Sequence, residues 1–174
     1  MRLYEIKEDQ KIYIDLDGVL VDCVKAASDF NNIDVQDFID SGYHNKYWKN
    51  FVDHADIKKE FTNMAWESNG KKIYHWFTQR DIPVTILTRP VGEPHTNDCI
   101  AGKKLWLKKH NLDIPVIFER DKEKYAGDGN ILIDDDSRNI DAWNKAGGVG
   151  ILYKNDKYED VIKKLNKLLQ SHPI

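Results

Sequence analysis

The chain has 174 residues, of which 41% are hydrophobic and 32% are charged, with a formal net charge of −3. This is the length of one domain with a small insert, and it is long enough to bury a proper core. The near balance of 26 basic and 29 acidic residues gives no basic surface that would require a nucleic-acid partner, but it does not exclude a short or exposed nucleic-acid end as a substrate.

Two cysteines, Cys23 and Cys99, are too few for a disulfide framework or a cysteine metal cluster. No charged segment followed by an apolar one opens the sequence, so we expect no signal peptide. No apolar run approaches the length of a membrane span. We therefore predict a cytoplasmic protein with reduced cysteines and no membrane partner.

The first predicted strand is a short apolar run, residues 12–14, that ends abruptly in Asp15 and Asp17. Such a run is typical of a buried strand in a parallel sheet, and Gly18 allows the chain to turn sharply after it. Two converging carboxylates repel each other unless a cation lies between them, and oxygen ligands suit Mg²⁺. Taken alone, the two acids fit a solvated turn equally well.

The next segment changes character. A helix is expected from Val21 to Phe30, whereas residues 31–70 are rich in aromatic, amide and charged residues. Helical spacing of apolar residues in 34–39 and 57–66 predicts a small helical subdomain. Its aromatic residues are more typical of a core, although a subset could stack on a planar substrate group. These residues are Tyr43, Tyr47, Trp48, Phe51 and Trp66.

From Gly70 onwards, predicted helices and strands alternate. The first of these are a helix through Ile73 to Phe77, a strand over 83–87 that ends at Thr88, a helix over 99–110 and a strand over 115–118. They are followed by a strand over 130–133, a helix capped by Ser137, a strand over 149–153 and a closing helix through Val161 to Leu169. This alternation predicts a Rossmann-like, three-layer α/β/α fold with a parallel sheet. We assign residues 1–22 and 71–174 to this core and residues 23–70 to the insert.

Three predicted strands end in residues that can carry chemistry. They are Asp15 with Asp17, then Thr88, then Asp134 with Asp135. The carboxyl ends of parallel strands share one edge of a sheet, where ligands bind. This set suits phosphoryl transfer to water through an aspartyl phosphate. One carboxylate attacks phosphorus, a second moves a proton, a metal and a lysine offset charge, and a hydroxyl binds a phosphoryl oxygen.

At these positions the sequence resembles the haloacid dehalogenase (HAD) superfamily of phosphohydrolases. Its first motif, Asp-x-Asp-Gly followed by Val or Thr, stands here as residues 15–19. The second motif, an apolar strand that ends in Thr or Ser, stands as residues 84–88, and the fourth, an apolar strand that ends in paired acids, as residues 131–135. The resemblance covers the whole core in the order of its motifs, and it implies a phosphoric monoester hydrolase.

The resemblance also implies roles for individual residues. Asp15 would be the nucleophile and Asp17 the general acid and base. Mg²⁺ would be held by both of these residues and by Asp135, with Asp134 in support. The insert, residues 23–70, would form a cap over the site.

Within the superfamily, the chain looks most like the 5′(3′)-deoxyribonucleotidases and related phage and bacterial nucleotidases. The similar features are residues 17–22, Lys103 placed three residues before Trp106, residues 120–122 and residues 132–135. The expected substrate is therefore a small phosphate ester, a (deoxy)nucleoside monophosphate. Tyr43 and Trp48 are our candidates for contacts with its base.

The chain departs from the nucleotidase pattern after Thr88, where Arg89 replaces the usual Ser before Pro. Arg89 would bind a second anionic group of the substrate, or it is a solvated loop residue. Three lysines, Lys103, Lys122 and Lys124, are candidates for contact with the phosphate, and only one of them is needed.

Two other functions remain as alternatives. One is a phosphatase for the 3′ end of a nucleic-acid strand. The other is a non-catalytic phospho-aspartate switch, since signalling receivers also combine an acidic cluster, a Thr and a Lys. An acid/base at Asp17 disfavours the switch, because it would promote hydrolysis of the acyl phosphate.

Overall fold

The computed structural model describes residues 10–42, 46–154 and 157–170. These residues form two compact units. The first takes in the described residues of Met1–Leu20, Trp66–Thr88 and Ile114–Ile174, and the second those of Val21–Ala65 and Arg89–Asp113. Within these described ranges, every helix is too short or too polar to cross a membrane.

Five strands build the sheet of the first unit. They are β1 (Ile12–Ile14), β2 (Thr85–Thr88), β3 (Val116–Phe118), β4 (Ile131–Asp134) and β5 (Val149–Leu152). All neighbours pair in parallel, in the order β3-β2-β1-β4-β5. The strand order therefore reverses beside β1, which is the switch point where open α/β sheets bind ligands. The predicted α/β fold with a parallel sheet is confirmed.

The central strands are the most apolar ones. β1 and β4 are buried at every position, as expected of parallel strands that are covered on both faces. At the edge of the sheet, β3 is only half-buried. The middle of the sheet is thus a rigid support for the residues that follow β1 and β4.

Eight α-helices lie in the part of the chain that the structure describes. They are α1 (Cys23–Asn31), α2 (Val35–Asp40), α3 (Lys46–His54), α4 (Ile57–Asn63), α5 (Gly70–Thr78), α6 (Thr96–Lys109), α7 (Ser137–Lys145) and α8 (Tyr158–Gln170). Helix α3 was not among the helices predicted from the sequence. Its apolar side consists of Tyr47, Trp48, Phe51 and Val52, and aromatic and β-branched residues have weak helix propensity.

Helix α7 is tied to the sheet and to the end of β4. Ile140 and Trp143 of α7 form one hydrophobic cluster with Tyr13 of β1 and Leu132 of β4. The predicted N-cap, Ser137, is wrong by one residue. The cap is Asp136, whose carboxylate accepts a hydrogen bond of 2.9 Å from the Arg138 amide. Asp and Ser are equally good N-caps, so the sequence does not distinguish between these two adjacent residues.

The second unit is held by close packing of α4 and α6. A Cβ at Gly102 of α6 would lie only 2.7 Å from Phe61 Cβ, so a glycine allows the close approach of the two helices. The indole Nε1 of Trp106 donates a hydrogen bond of 2.8 Å to the Met64 carbonyl. Residues 89–113 and residues 21–65 therefore belong to the same compact unit. The division into a core and a cap over residues 23–70 stays a prediction.

Candidate active site

The carboxyl ends of β1 and β4 place two carboxylates in adjacent positions. Asp15 directly follows β1 and is 7% exposed, and Asp134, the last residue of β4, is fully buried. The Asp15 amide donates a hydrogen bond of 2.9 Å to the Ile133 carbonyl, which continues the pairing of the two strands. The main-chain hydrogen bonds of the sheet therefore fix the backbone positions of both acidic residues, independently of their side-chain contacts.

A buried lysine lies between these carboxylates. Lys122 Nζ is 2.8 Å from Asp15 Oδ2 and 2.6 Å from Asp134 Oδ2, and its residue is 1% exposed. Burial lowers the pKa of Lys122, but the negative charges of Asp15 and Asp134 raise it, and the net pKa is above its ordinary value. Lys122 is thus a fixed cation in contact with Asp15.

Asp134 accepts several further hydrogen bonds. The Asp136 amide donates to its Oδ1 at 2.9 Å, and Asn139 Nδ2 lies 3.1 Å from both of its oxygens. Burial and the charge of Asp15 raise the pKa of Asp134 to about 6, although Lys122 opposes this shift. Asn139 was not among the predicted site residues. The sequence feature that could have indicated Asn139 is a polar side chain in the first turn of the helix that follows a strand-end acid.

The absence of a side chain at Gly18 leaves space for the Asp135 carboxylate. The backbone of Gly18 has a φ of +72°, and a Cβ there would collide with Asp135 Oδ2. Only glycine adopts such a φ without strain. The turn is closed by a hydrogen bond of 2.9 Å from the Leu20 amide to the Leu16 carbonyl, and the half-buried Asp17 lies within it.

Three of these carboxylates form a group with the donor chemistry of a hard cation. Asp15, Asp134 and Asp135 each offer one oxygen, and these oxygens lie within 4.8 Å of one another. Oxygen-only donors of this kind fit Mg²⁺, which binds through one or two carboxylates and keeps several waters. Asp17, the fourth predicted ligand, is not part of this group of three.

Thr88 lies at the same edge of the sheet. It ends β2, the strand next to β1, and is fully buried. The Thr88 carbonyl accepts a hydrogen bond of 3.1 Å from the Glu119 amide, which ties this strand end to the chain after β3. The expectation that Asp15, Thr88 and Asp134 share one edge is therefore met by the strand order.

The other two candidate lysines have different hydrogen-bond and ion-pair partners. Lys124 is exposed, and its Nζ is 3.3 Å from Glu119 Oε2 and 3.1 Å from Asp121 Oδ2. Lys103 belongs to the second unit, where its Nζ donates a hydrogen bond of 2.8 Å to the Arg89 carbonyl. The Arg89 side chain is exposed.

Of the two residues predicted to contact the substrate base, Trp48 belongs to the second unit. Trp48 of α3 is half-buried, with its ring centroid 5.5 Å from that of the buried Phe51. Tyr43 lies outside the residues that the structure describes. Their contact with a substrate base stays a prediction.

The chain resembles known proteins in its fold. No family model and no curated protein sequence matches it. A hydrolase from Streptococcus pneumoniae TIGR4 matches with a TM-score of 0.56 and 13% identity, over 88% of this chain and 98% of that one. A HAD hydrolase of family IA, variant 3, from Entamoeba histolytica HM-1:IMSS matches with a TM-score of 0.50 and 13% identity, over 88% of both chains.

A third solved structure is that of a HAD family enzyme from Bacteroides thetaiotaomicron in a magnesium complex. It matches with a TM-score of 0.50 and 14% identity, over 88% of this chain and 98% of that chain. The chain therefore has the fold of HAD hydrolases, as its motifs predicted.

Proposed function

We propose that this protein is a Mg²⁺-dependent phosphatase that hydrolyses a phosphomonoester through an aspartyl phosphate on Asp15. The observation that carries the proposal is the buried contact of Lys122 with both Asp15 and Asp134, at a sheet edge that also bears Thr88. A carboxylate held beside a fixed cation, with a hydroxyl at the same edge, suits attack on a phosphoryl group. The HAD hydrolase fold agrees with this chemistry.

In the first half of the reaction, a carboxylate oxygen of Asp15 attacks phosphorus. The bond between phosphorus and the ester oxygen breaks, and Asp17 gives its proton to the leaving oxygen. Lys122 and the Leu16 amide, which donates to Asp15 Oδ1 at 2.7 Å, keep the Asp15 carboxylate in one orientation. The Thr88 hydroxyl donates to a phosphoryl oxygen.

In the second half, a water molecule attacks the phosphorus of the aspartyl phosphate. Asp17, now a carboxylate, takes a proton from this water, and the bond between phosphorus and the Asp15 oxygen breaks. Inorganic phosphate leaves and Asp15 is restored. The charge of Lys122 offsets the negative charge that develops in both halves.

We assign the metal ligands to the carboxylates of Asp15 and Asp135 and to the main-chain carbonyl of Asp17, with Asp134 in support, which leaves the Asp17 carboxylate for proton transfer. Both oxygens of Asp134 already accept hydrogen bonds from protein groups, which makes it better suited to hold Lys122 than to bind a metal directly. When bound there, Mg²⁺ would offset the charge of the phosphoryl group and the carboxylates.

For the substrate, we propose a (deoxy)nucleoside monophosphate, handled in the cytoplasm. Support comes from the nucleotidase-like sequence features and from aromatic residues such as Trp48, whose half-buried ring suits stacking on a base. Arg89, exposed directly after Thr88 in the chain, suits an anionic group of the substrate.

A panel of phosphate esters tests the proposal. Purified protein with Mg²⁺ would be assayed on deoxyribonucleoside monophosphates, a sugar phosphate, p-nitrophenyl phosphate and an oligonucleotide with a 3′-phosphate. We expect the highest kcat/KM on a nucleoside monophosphate. A preference for the oligonucleotide would replace the nucleotidase proposal by a 3′-end phosphatase, and no release of phosphate from any ester would contradict the phosphatase itself.

A further inference from the structure

Lys103 is a buried lysine outside the carboxylate cluster of the first unit. It lies on α6 and is 1% exposed. Its Nζ donates a hydrogen bond of 2.8 Å to the Arg89 carbonyl and lies 5.4 Å from the centre of the Phe61 ring. Burial of an ammonium group is unfavourable, so a lysine at such a position requires the hydrogen bonds that it makes.

The helix that carries Lys103 is itself held firmly. The contact between Gly102 and α4, next to Lys103, leaves no space for a Cβ, and Trp106 is anchored to the Met64 carbonyl at 2.8 Å. Lys103 therefore projects from a fixed base. An ammonium group on a fixed helix can determine the position of the carbonyl that it binds.

The segment that Lys103 contacts follows Thr88 in the chain. α6 holds this segment at two carbonyls, those of Arg89 through Lys103 and of Val91 through Thr96, whose Oγ1 donates at 2.9 Å. The residue between them is the buried Pro90, whose ring fixes its φ. The backbone of Arg89 is thus fixed, while its guanidinium side chain is exposed.

We infer that Lys103 is a positioning residue for substrate binding, which acts by fixing the backbone from which Arg89 presents its guanidinium to an anionic group of the substrate. The inference rests on the proposed phosphatase function and adds a role to it. A preorganised side chain binds with less loss of conformational freedom than a mobile one. Lys103 should therefore affect KM, and it should do so through Arg89.

This role differs from the two obvious alternatives. A lysine that contacts the reacting phosphoryl group would contribute to the transition state, and its removal would lower kcat. A lysine that only stabilises the second unit would lower the unfolding midpoint without changing kinetics of the folded protein. Only a positioning role predicts coupling to Arg89.

A double-mutant cycle separates these roles. The variants are Lys103→Met, Arg89→Ala and the combination of both, assayed as folded proteins on a deoxyribonucleoside monophosphate with saturating Mg²⁺. Lys108→Met, an exposed lysine on the same helix, is the matched control. If Lys103→Met does not unfold cooperatively, Lys103→Gln takes its place in the cycle.

We expect Lys103→Met to raise KM about tenfold and to leave kcat within about twofold, with a much smaller rise when Arg89 is already Ala. Lys108→Met should behave as wild type. Independent effects of the two changes, a wild-type KM for Lys103→Met or Arg89→Ala, or a large fall in kcat for Lys103→Met would each overturn the inference. Wild-type protein that hydrolyses none of the esters would instead overturn the proposed function on which it rests.

Discussion

Lys122 and Asp15 form a buried ion pair, with 2.8 Å between Nζ and Oδ2. The same ammonium group also pairs with Asp134. One cation thus serves two carboxylates, and Asp135 adds a third nearby. The cluster keeps an excess of acidic groups, which favours a divalent cation at this edge of the sheet.

Replacement of Asp15 by asparagine tests the proposed nucleophile. Asp15→Asn removes the attacking charge but almost no volume, so the variant should fold and should show no turnover on any phosphate ester. Steady-state release of phosphate would be measured beside a thermal unfolding curve. Asp29→Asn, at an exposed acid of α1, is the control and should keep full activity. Wild-type turnover by folded Asp15→Asn protein would rule out the phosphoaspartate mechanism.

The choice among the lysines is tested by Lys122→Met and Lys124→Met. Loss of Lys122 leaves two buried carboxylates without their shared cation, so the free energy of unfolding should fall by about 3–5 kcal/mol. Loss of transition-state stabilisation should lower kcat by about 10²-fold or more. Urea unfolding and steady-state kinetics measure the two effects.

Lys124→Met is the matched comparison for Lys122→Met. Lys124 is exposed, and exposed ion pairs contribute little, so stability and kcat should remain close to wild type. A reversed pattern, with kcat lost only in Lys124→Met, would assign the phosphate contact to Lys124.

Gly18→Ala tests the room that the turn leaves for Asp135. The positive φ alone should cost about 1–2 kcal/mol of unfolding free energy, and the new Cβ should also displace the Asp135 carboxylate. We therefore expect a higher Mg²⁺ concentration for half-maximal activity. Gly127→Ala is the control, because a Cβ there meets nothing within 4 Å. Equal Mg²⁺ requirements for both variants would remove Asp135 from the metal site.

Removal of the metal should abolish the phosphatase activity. Activity should disappear in excess chelator and return with Mg²⁺ or Mn²⁺, since both suit oxygen ligands. Mg²⁺ at about 100 times its Kd should also add roughly 2.7 kcal/mol to the free energy of unfolding by mass action. Calorimetry measures this gain, and Asp135→Asn should lose it. Full activity in chelator would exclude the metal from the reaction.

Trp48→Ala tests whether the second unit selects the substrate. Stacking on a base contributes about 1–3 kcal/mol, so its loss should raise KM for a deoxyribonucleoside monophosphate by about tenfold. The kcat should not change, and p-nitrophenyl phosphate should be hydrolysed as by wild type, because only uniform binding energy is lost. An equal rise in KM for both esters would indicate that Trp48 has no part in base recognition.

Much of the fold could be predicted from local patterns. Apolar runs that end at Asp15, Thr88 and Asp134 predicted β1, β2 and β4, and all three strands were found where expected. Helix α3 was missed because its apolar residues are aromatic and β-branched, types that form strands as readily as helices. The N-cap of α7 was misplaced because two good capping residues, Asp136 and Ser137, are adjacent.

The sequence by itself determined that Asp15, Thr88 and Asp134 share one edge, because strands joined by helices run parallel and their carboxyl ends coincide. Only the tertiary structure decided that Lys122 contacts Asp15, that Asn139 binds Asp134 and that Lys103 binds the Arg89 carbonyl. Periodicity specifies which face of an element is buried. The reach and direction of a long polar side chain depend instead on residues distant in the chain, so the partners of these lysines could not be deduced from spacing alone.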